Sequence, residues 1–337
     1  MNKSKINFFM LSGALLLMAN SANAATIYDN NISALNINML TDVFMSYVNY
    51  GEKMSDLFAH HQMYGTMDRF DEYGDDGSTV KTLGLGTKKS NNFFINNMWV
   101  NANHVNADMH YGNNISQHGR FNLATVGATT RATELKYGNI AFGGFASYIN
   151  TKMPDFHGNG DAVALFAKYR FRNLGARALA NIGSLNNNAN NTQFNNSWVN
   201  FGANVDGTFK IDDTFFVRPG VYASYTFVSS SDLYLNGDKI SSEDYNFFNI
   251  APALSFIKQV APNWSGALSA KYIAHFGGEN DIRINDAKTK GLYLDDYTDV
   301  GIDVEYDYEQ FTFGARVHKQ IGDMDGWSTN LNVKYAF

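Results

Sequence analysis

Four residues in the last third of the sequence are of the types that hydrolytic enzymes use. Ser269, His275, Asp303 and His318 could supply a nucleophile, a base and an orienting acid. A catalytic serine or zinc usually lies in a local motif, and the sequence contains neither G-x-S-x-G nor H-E-x-x-H. Single histidines on strands are more often structural, so we expect no catalytic site and keep a hydrolase as the least favoured alternative.

Charged residues recur at every second position of several segments whose alternate positions are apolar. They share one phase of their segments, and the set consists of Lys168, Arg170, Arg218, Lys271, Asp303, Glu305, Asp307, Arg316 and Lys334. Such residues could line a conduction path or hold a helix, but any barrel must also place polar residues inside. Both signs occur, so no strong ion selectivity is expected.

These segments have the period of β-strands with one apolar and one polar face. In the segment 327–337, Leu331, Val333 and Tyr335 alternate with polar residues, and segments 297–308 and 310–318 form a predicted hairpin. About twelve such strands follow Met98, each near the length of about 9–11 residues that crosses a bilayer. The sequence therefore predicts an all-β, closed antiparallel transmembrane β-barrel.

Connections between the strands are predicted to alternate between short and long. Short turns are expected at 172–175, 261–264 and Glu309, and long polar connections at 186–196, 229–244 and 277–296. Pro219 and Pro252 fall within strands on the outward phase, where we expect a local bulge to accommodate the missing N–H.

The N-terminus has the pattern of a secretory signal peptide. Lys3 and Lys5 precede the apolar run 8–18, and a small-residue site predicts cleavage after Ala24. No stretch is long and apolar enough for a transmembrane helix. We therefore divide the chain into a signal peptide (1–24), an N-terminal segment (25–92) and a β-barrel (93–337).

Composition supports an exported membrane protein. The chain has no cysteine, which excludes thiolate metal sites and cysteine nucleophiles, and we expect no cofactor. Its formal net charge of −6 disfavours a nucleic-acid partner. A 15% aromatic share with only 4 prolines is typical of a membrane barrel.

Residues 36–61 of the N-terminal segment have a helical rather than a strand period. Their apolar positions recur every three or four residues and include Leu40, Phe44, Tyr47, Met54 and Phe58. An amphipathic helix could lie in the barrel lumen or on the membrane surface. Glu52, Lys53 and Asp56 favour the polar lumen. Residues 71–92 are polar and glycine-rich and are predicted to be a linker or a weak strand.

Together these parts resemble the C-terminal translocator domains of autotransporters, the type V secretion β-barrels. The resemblance is carried by the helix before the barrel, the opening strand 98–101, the two proline-containing strands and the last strand, which ends at Phe337. It implies that the helix threads the lumen. It also implies that Phe337, Tyr335 and Val333 are an insertion signal read by the barrel-assembly machinery.

The resemblance also implies a passenger before the helix, but residues 25–33 leave little room for one. Asn30-Asn31 lies where some family members cleave, although asparagine pairs are common in this chain. We predict a monomeric barrel in the lipid of the bacterial outer membrane, acting as a scaffold or translocation pore with a vestigial passenger and surface-exposed loops. A small diffusion channel and an outer-membrane hydrolase are the alternatives.

Overall fold

The structure is a computed structural model that describes residues 95–111, 115–130, 132–153, 156–189, 192–235, 238–277, 281–285, 287–290 and 296–336. Ala24 with the predicted signal peptide, the predicted helix at 36–61, Asn30-Asn31 and Phe337 lie outside these residues. Among the described residues, no helix is long and apolar enough to span a membrane.

Eighteen strands make up this part of the chain. In chain order they are β1 (Ile95–Tyr111), β2 (Ile115–Thr130), β3 (Thr133–Leu135), β4 (Gly138–Lys152), β5 (Phe156–Phe171), β6 (Leu174–Ala189), β7 (Thr192–Gly207), β8 (Phe209–Asp212), β9 (Phe215–Ser230), β10 (Leu233–Leu235), β11 (Asp238–Ser242), β12 (Tyr245–Ala261), β13 (Trp264–Gly277), β14 (Asp281–Ile284), β15 (Ala287–Lys290), β16 (Tyr297–Tyr308), β17 (Phe311–Gly322) and β18 (Met324–Ala336).

Twelve of the strands form the wall of a closed barrel, as predicted. Each pairs antiparallel with its neighbours in the order β1, β2, β4, β5, β6, β7, β9, β12, β13, β16, β17 and β18, and β18 pairs back with β1. The closing pair runs from Asn97↔Ala336 to Met109↔Met324 without a register shift. Closure leaves no row of unsatisfied N–H and C=O groups, each of which costs several kcal/mol in hydrocarbon.

Alternating polarity explains why the strands form this wall. Leu165, Ile302 and Leu331 point outward and are 74%, 57% and 63% exposed, as large apolar residues on a lipid-facing surface are. Their neighbours on the other phase, such as Asp303 and Asn330, are buried inside the barrel. Around these residues the two-residue period therefore separates an apolar outer face from a polar inner face.

The two ends of the barrel differ in their connections. The turn end has two-residue turns at 172–173, 262–263 and 309–310, and Arg172 and Glu309 adopt positive φ angles there. We name the opposite end the loop end. The short turns predicted at the turn end are confirmed.

Wall strands are 12 to 17 residues long, which exceeds the predicted length. The predicted long connection at 186–196 is wrong, because β6 continues to Ala189 and β7 begins at Thr192. Asn187 and Asn196 are buried there, and the Asn187 amide donates to Asn196 over 2.7 Å. Cross-strand pairing outweighs the tendency of asparagine to favour turns.

The other two predicted long connections contain short strands. β10 and β11 lie within 229–244, β14 and β15 lie within 277–296, and together they form a four-stranded sheet at the loop end. Exposed ion pairs accompany this loop-end sheet, Lys239 to Asp232 at 2.7 Å and Arg283 to Glu243 at 2.6 Å.

Pro219 and Pro252 are accommodated without the predicted bulge. The β9–β12 register is unbroken and includes both prolines, paired with Leu254 and Val221. Each missing N–H is instead tolerated at the other edge of its strand. Residues 251 and 252 of β12 have no paired residue on β13, and the register is the same on either side of them. Pro219 lies where the partner of β9 changes from β7 to β8.

Two inward tryptophans lie flat over glycines of the neighbouring strand. A Cβ added to Gly127 would come within 2.2 Å of the Trp99 ring, and one added to Gly183 within 2.2 Å of the Trp198 ring. Only glycine leaves room for the indole, and the ring in turn covers the exposed backbone.

Candidate functional site: the interior of the barrel

A first cluster of charged residues projects inward from β13, β16 and β17. Asp299 forms an ion pair with Lys271 at 3.6 Å, and its other carboxylate oxygen lies 2.5 Å from His318 Nδ1. Asp303 lies 3.1 Å from His318 Nε2 and 3.4 Å from Arg316 Nε. We name these five residues the charged wall.

Burial makes this pairing obligatory. Asp299 and Asp303 are each 3% exposed, and a buried carboxylate is stable only when cations and hydrogen-bond donors surround it. Gln320 adds such a donor to Asp299 at 3.1 Å, and the Ser269 hydroxyl donates to Asp303 at 3.1 Å. The charged wall is therefore an internally compensated network.

A second charged cluster lies on β6, β7 and β9. Asp206 is 3% exposed and pairs with Arg177 at 3.1 Å and with Arg218 at 3.5 Å. Arg177 also donates to Asn204, and Arg218 Nε donates to the Thr208 hydroxyl, both over 2.9 Å. Residues of both clusters, together with Asn103 of β1 and Ser328 and Asn330 of β18, line one cavity inside the barrel.

The cavity includes four of the nine predicted lumen residues, namely Arg218, Lys271, Asp303 and Arg316. The other five share the inward phase but are not among its lining residues: Lys168, Arg170, Glu305, Asp307 and Lys334. They lie in the half of their strands nearer the turn end. Glu305 is 8% exposed, and the Lys168 ammonium lies 5.4 Å from the centre of the Phe166 ring.

Several interior residues were missed from the sequence. Asp299 is on the same strand phase as the predicted Asp303, so the alternation could have identified it. Arg177 and Asp206 lie on β6 and β7, where no lumen residue was predicted. Inward asparagines on β6 and β7 were missed as well. Asn181 donates to Asn200 over 3.0 Å, and Asn200 donates to Thr226 over 2.7 Å.

The arrangement of Ser269 and His318 is not that of a catalytic triad. In a triad the imidazole lies between the hydroxyl and the carboxylate, so that it can accept the hydroxyl proton. Here Asp303 lies between the two, since it accepts from Ser269 and contacts His318. His275 is attached elsewhere, through its backbone N–H to Asp296 at 2.9 Å.

The loop end of the interior has a set of buried apolar residues, which the sequence did not predict. Inward residues from ten of the twelve wall strands are no more than 3% exposed there. We name them the loop-end ring, and they are Val105, Met109, Phe121, Leu123, Ile149, Leu185, Phe194, Val228, Phe247, Ile273, Tyr297 and Met324.

No family model and no curated protein matches the sequence. Solved structures do resemble the barrel. The transport unit of the autotransporter AIDA-I from Escherichia coli has a TM-score of 0.60 at 13% identity, over 75% of this chain and 93% of that one.

Two further structures give similar values. The β domain of the Bordetella autotransporter BrkA has a TM-score of 0.58 at 12% identity, over 72% of this chain and 100% of that one. The translocator domain of the autotransporter NalP from Neisseria meningitidis has a TM-score of 0.56 at 12% identity, over 74% and 90%. This barrel therefore has the fold of autotransporter translocator domains.

Proposed function

We propose that this chain is an outer-membrane translocator-type barrel whose lumen is occupied by its own N-terminal segment. It holds the loop-end sheet at the cell surface and acts as a membrane-embedded scaffold with at most a vestigial passenger. The fold supports the outer-membrane placement, since the similar solved structures are autotransporter barrels.

The main support for an occupied lumen is the burial of the loop-end ring. An eight-stranded barrel is just wide enough for its own side chains to fill, and this wall has twelve strands. Inward side chains of an empty barrel of that size border water. Phe121 and Phe194 are instead 0% and 2% exposed, which supports a lumen filled by further residues of the chain.

Residues 36–61 have the composition that such a lumen requires. Leu40, Phe44 and Tyr47 on one face of the predicted helix suit the apolar loop-end ring. Glu52 and Lys53 suit the charged clusters deeper in the barrel, because charges of both signs are available there.

A small diffusion channel is the second candidate. The cavity between the two charged clusters favours it, since an aqueous path needs a polar lining. The burial of the loop-end ring, however, favours a path that is occupied at the loop end. We therefore favour the occupied barrel.

Conductance in planar bilayers distinguishes the two candidates. We expect the intact mature protein to conduct weakly and deletion of residues 36–61 to raise the single-channel conductance several-fold, because the lumen then fills with water. Deletion of the polar segment 71–92 is the matched control and leaves the conductance low. High conductance of the intact protein would overturn the occupied lumen in favour of a channel.

The last strand is proposed to carry the assembly signal, with Phe337, Tyr335 and Val333 as its aromatic and apolar positions. Tyr335 and Val333 point outward, and the Tyr335 ring packs on Phe311 at 5.0 Å between centroids. Removing Phe337 should decrease the amount of folded, heat-modifiable protein in the outer membrane. Trp327→Ala, an outward aromatic at the other end of β18, should not, and equal assembly of both variants would refute the signal.

A further inference from the structure

Two basic residues and a histidine form a row on the outer surface of the barrel near the loop end. Arg120 on β2 is directly opposite Lys152 on β4, and Lys152 is directly opposite His157 on β5. All three side chains are exposed and point away from the lumen. We name them the cationic row.

A row of this kind is unfavourable without a counter-ion. Like charges directly opposite each other on neighbouring strands destabilise a sheet. Within the described part of the chain, none of the three forms an ion pair. The nearest acid on β1, Asp108, faces His118 instead, with 2.8 Å between Oδ1 and Nδ1. The row therefore suits an anion that comes from outside the protein.

The rows beneath it on the same three strands form a gradient. Directly below are three exposed asparagines, Asn122, Asn150 and Asn159, which are opposite one another. A further row contains Tyr148 and Asp161. The next is apolar and consists of Val126, Ala146 and Val163.

The spacing of these rows matches a lipid with a bulky polar head. Each row is two residues higher than the last, or about 7 Å along the strand, so the cations lie about 20 Å along the strand from the apolar row. A strand tilt of about 40° reduces this to about 15 Å above the hydrocarbon, and long cationic side chains can reach part of the way back. An acyl chain, a sugar and a phosphate occur in the same order.

We propose that the cationic row binds the phosphate groups of a phosphorylated glycolipid in the leaflet at the loop end, with the asparagine row facing its sugars. Arg120 offers several N–H donors and Lys152 a compact charge, the two groups that commonly bind phosphate. The proposal depends on the barrel being inserted in a membrane, as proposed above, but not on what fills its lumen. A conductance result against the occupied lumen therefore leaves it intact.

Lipid retention by the full mature chain in detergent tests this proposal. The probes are lipid A with both phosphates and the same lipid after dephosphorylation, and bound lipid is counted by native mass spectrometry. The wild type should retain the phosphorylated form preferentially. Each cation near an anionic lipid surface contributes about five-fold in affinity, so Arg120→Gln with Lys152→Gln should weaken binding about thirty-fold.

Lys136→Gln with Lys210→Gln is the matched control, because it removes two exposed cations at the turn end. It should retain lipid as the wild type does. A heat-modifiable band checks that each variant is folded, and Lys152→Gln alone, with about a five-fold loss, replaces the double variant if that one fails to fold. Equal retention of both lipids by the wild type overturns the proposal. So does complete displacement of lipid A by equimolar inorganic phosphate, which would indicate a free-anion site.

Discussion

On β2 and β4, the turn half and the loop half of the strand have opposite polarity. On β2, Val126 faces outward and Thr125 inward in the turn half, whereas Asn122 faces outward and Leu123 inward in the loop half. β4 repeats the exchange, with Ala146 outward beside Ser147 and, further up, Asn150 outward beside Ile149.

This exchange indicates two environments along one strand. Where the outer face is apolar, lipid is the solvent and the polar groups turn inward to one another. Where the outer face is polar, water is the solvent and the strand buries an apolar inner face, as in a soluble barrel. The boundary on this side of the wall lies near Ala124 and Tyr148, because the inward residue changes from Ser147 to Ile149 across Tyr148.

The largest effect is expected in the charged wall of the interior. Asp303→Ala removes the carboxylate that compensates Arg316 and His318 at 3.4 and 3.1 Å. Removing one partner from a buried ion pair costs about 4 kcal/mol of the free energy of unfolding, measurable by denaturant titration in lipid. The control Asp213→Ala removes an exposed partner of Lys210. An equal effect of both variants would contradict a buried network.

The loop-end ring should come next. Leu123→Ala leaves a cavity in an apolar contact and should cost about 3 kcal/mol. Thr125→Ala, one inward position towards the turn end, loses the 2.6 Å hydrogen bond to Ser147 and should cost about 1 kcal/mol. Denaturant titration of the two variants compares the inner faces directly, and a smaller effect at Leu123 would mean that the ring is not a packed core.

The outer faces should differ by a smaller amount. Val126→Arg places a charge in the apolar belt and should cost about 2 kcal/mol in a bilayer. Asn122→Arg, four residues up the same strand and on the same side, should be nearly neutral because its position borders water. The comparison is made by folding titrations into vesicles, and equal costs would show that no boundary lies between the two positions.

The turn half could be read from the sequence, because alternating charged and apolar residues in a segment such as 300–308 identify both the strand and its inward phase. The loop half could not be read in the same way. A period of two residues separates two faces but does not say which is inside, and the faces exchange roles near Tyr148. Asparagines at 186–196 also favour turns in isolation, and only pairing with neighbouring strands places them in the wall.

The candidate site was predictable only residue by residue. The phase of each strand identified Arg218, Lys271, Asp303 and Arg316 as inward. Which carboxylate each cation contacts depends on the register between neighbouring strands, such as that of β13 and β16 for Lys271 with Asp299. A single sequence does not contain that register.

The exchange of polarity between lipid and water can be measured at single positions, since the chain has no native cysteine. A fluorophore is attached to the variant Val126→Cys and, separately, to the variant Asn122→Cys. Each label is then tested in vesicles for quenching by nitroxide-labelled lipid and by iodide. We predict that the label at 126 is quenched by the lipid nitroxide and that the label at 122 is quenched by iodide. Equal quenching of both labels by iodide, with none by lipid, would contradict a membrane-embedded barrel.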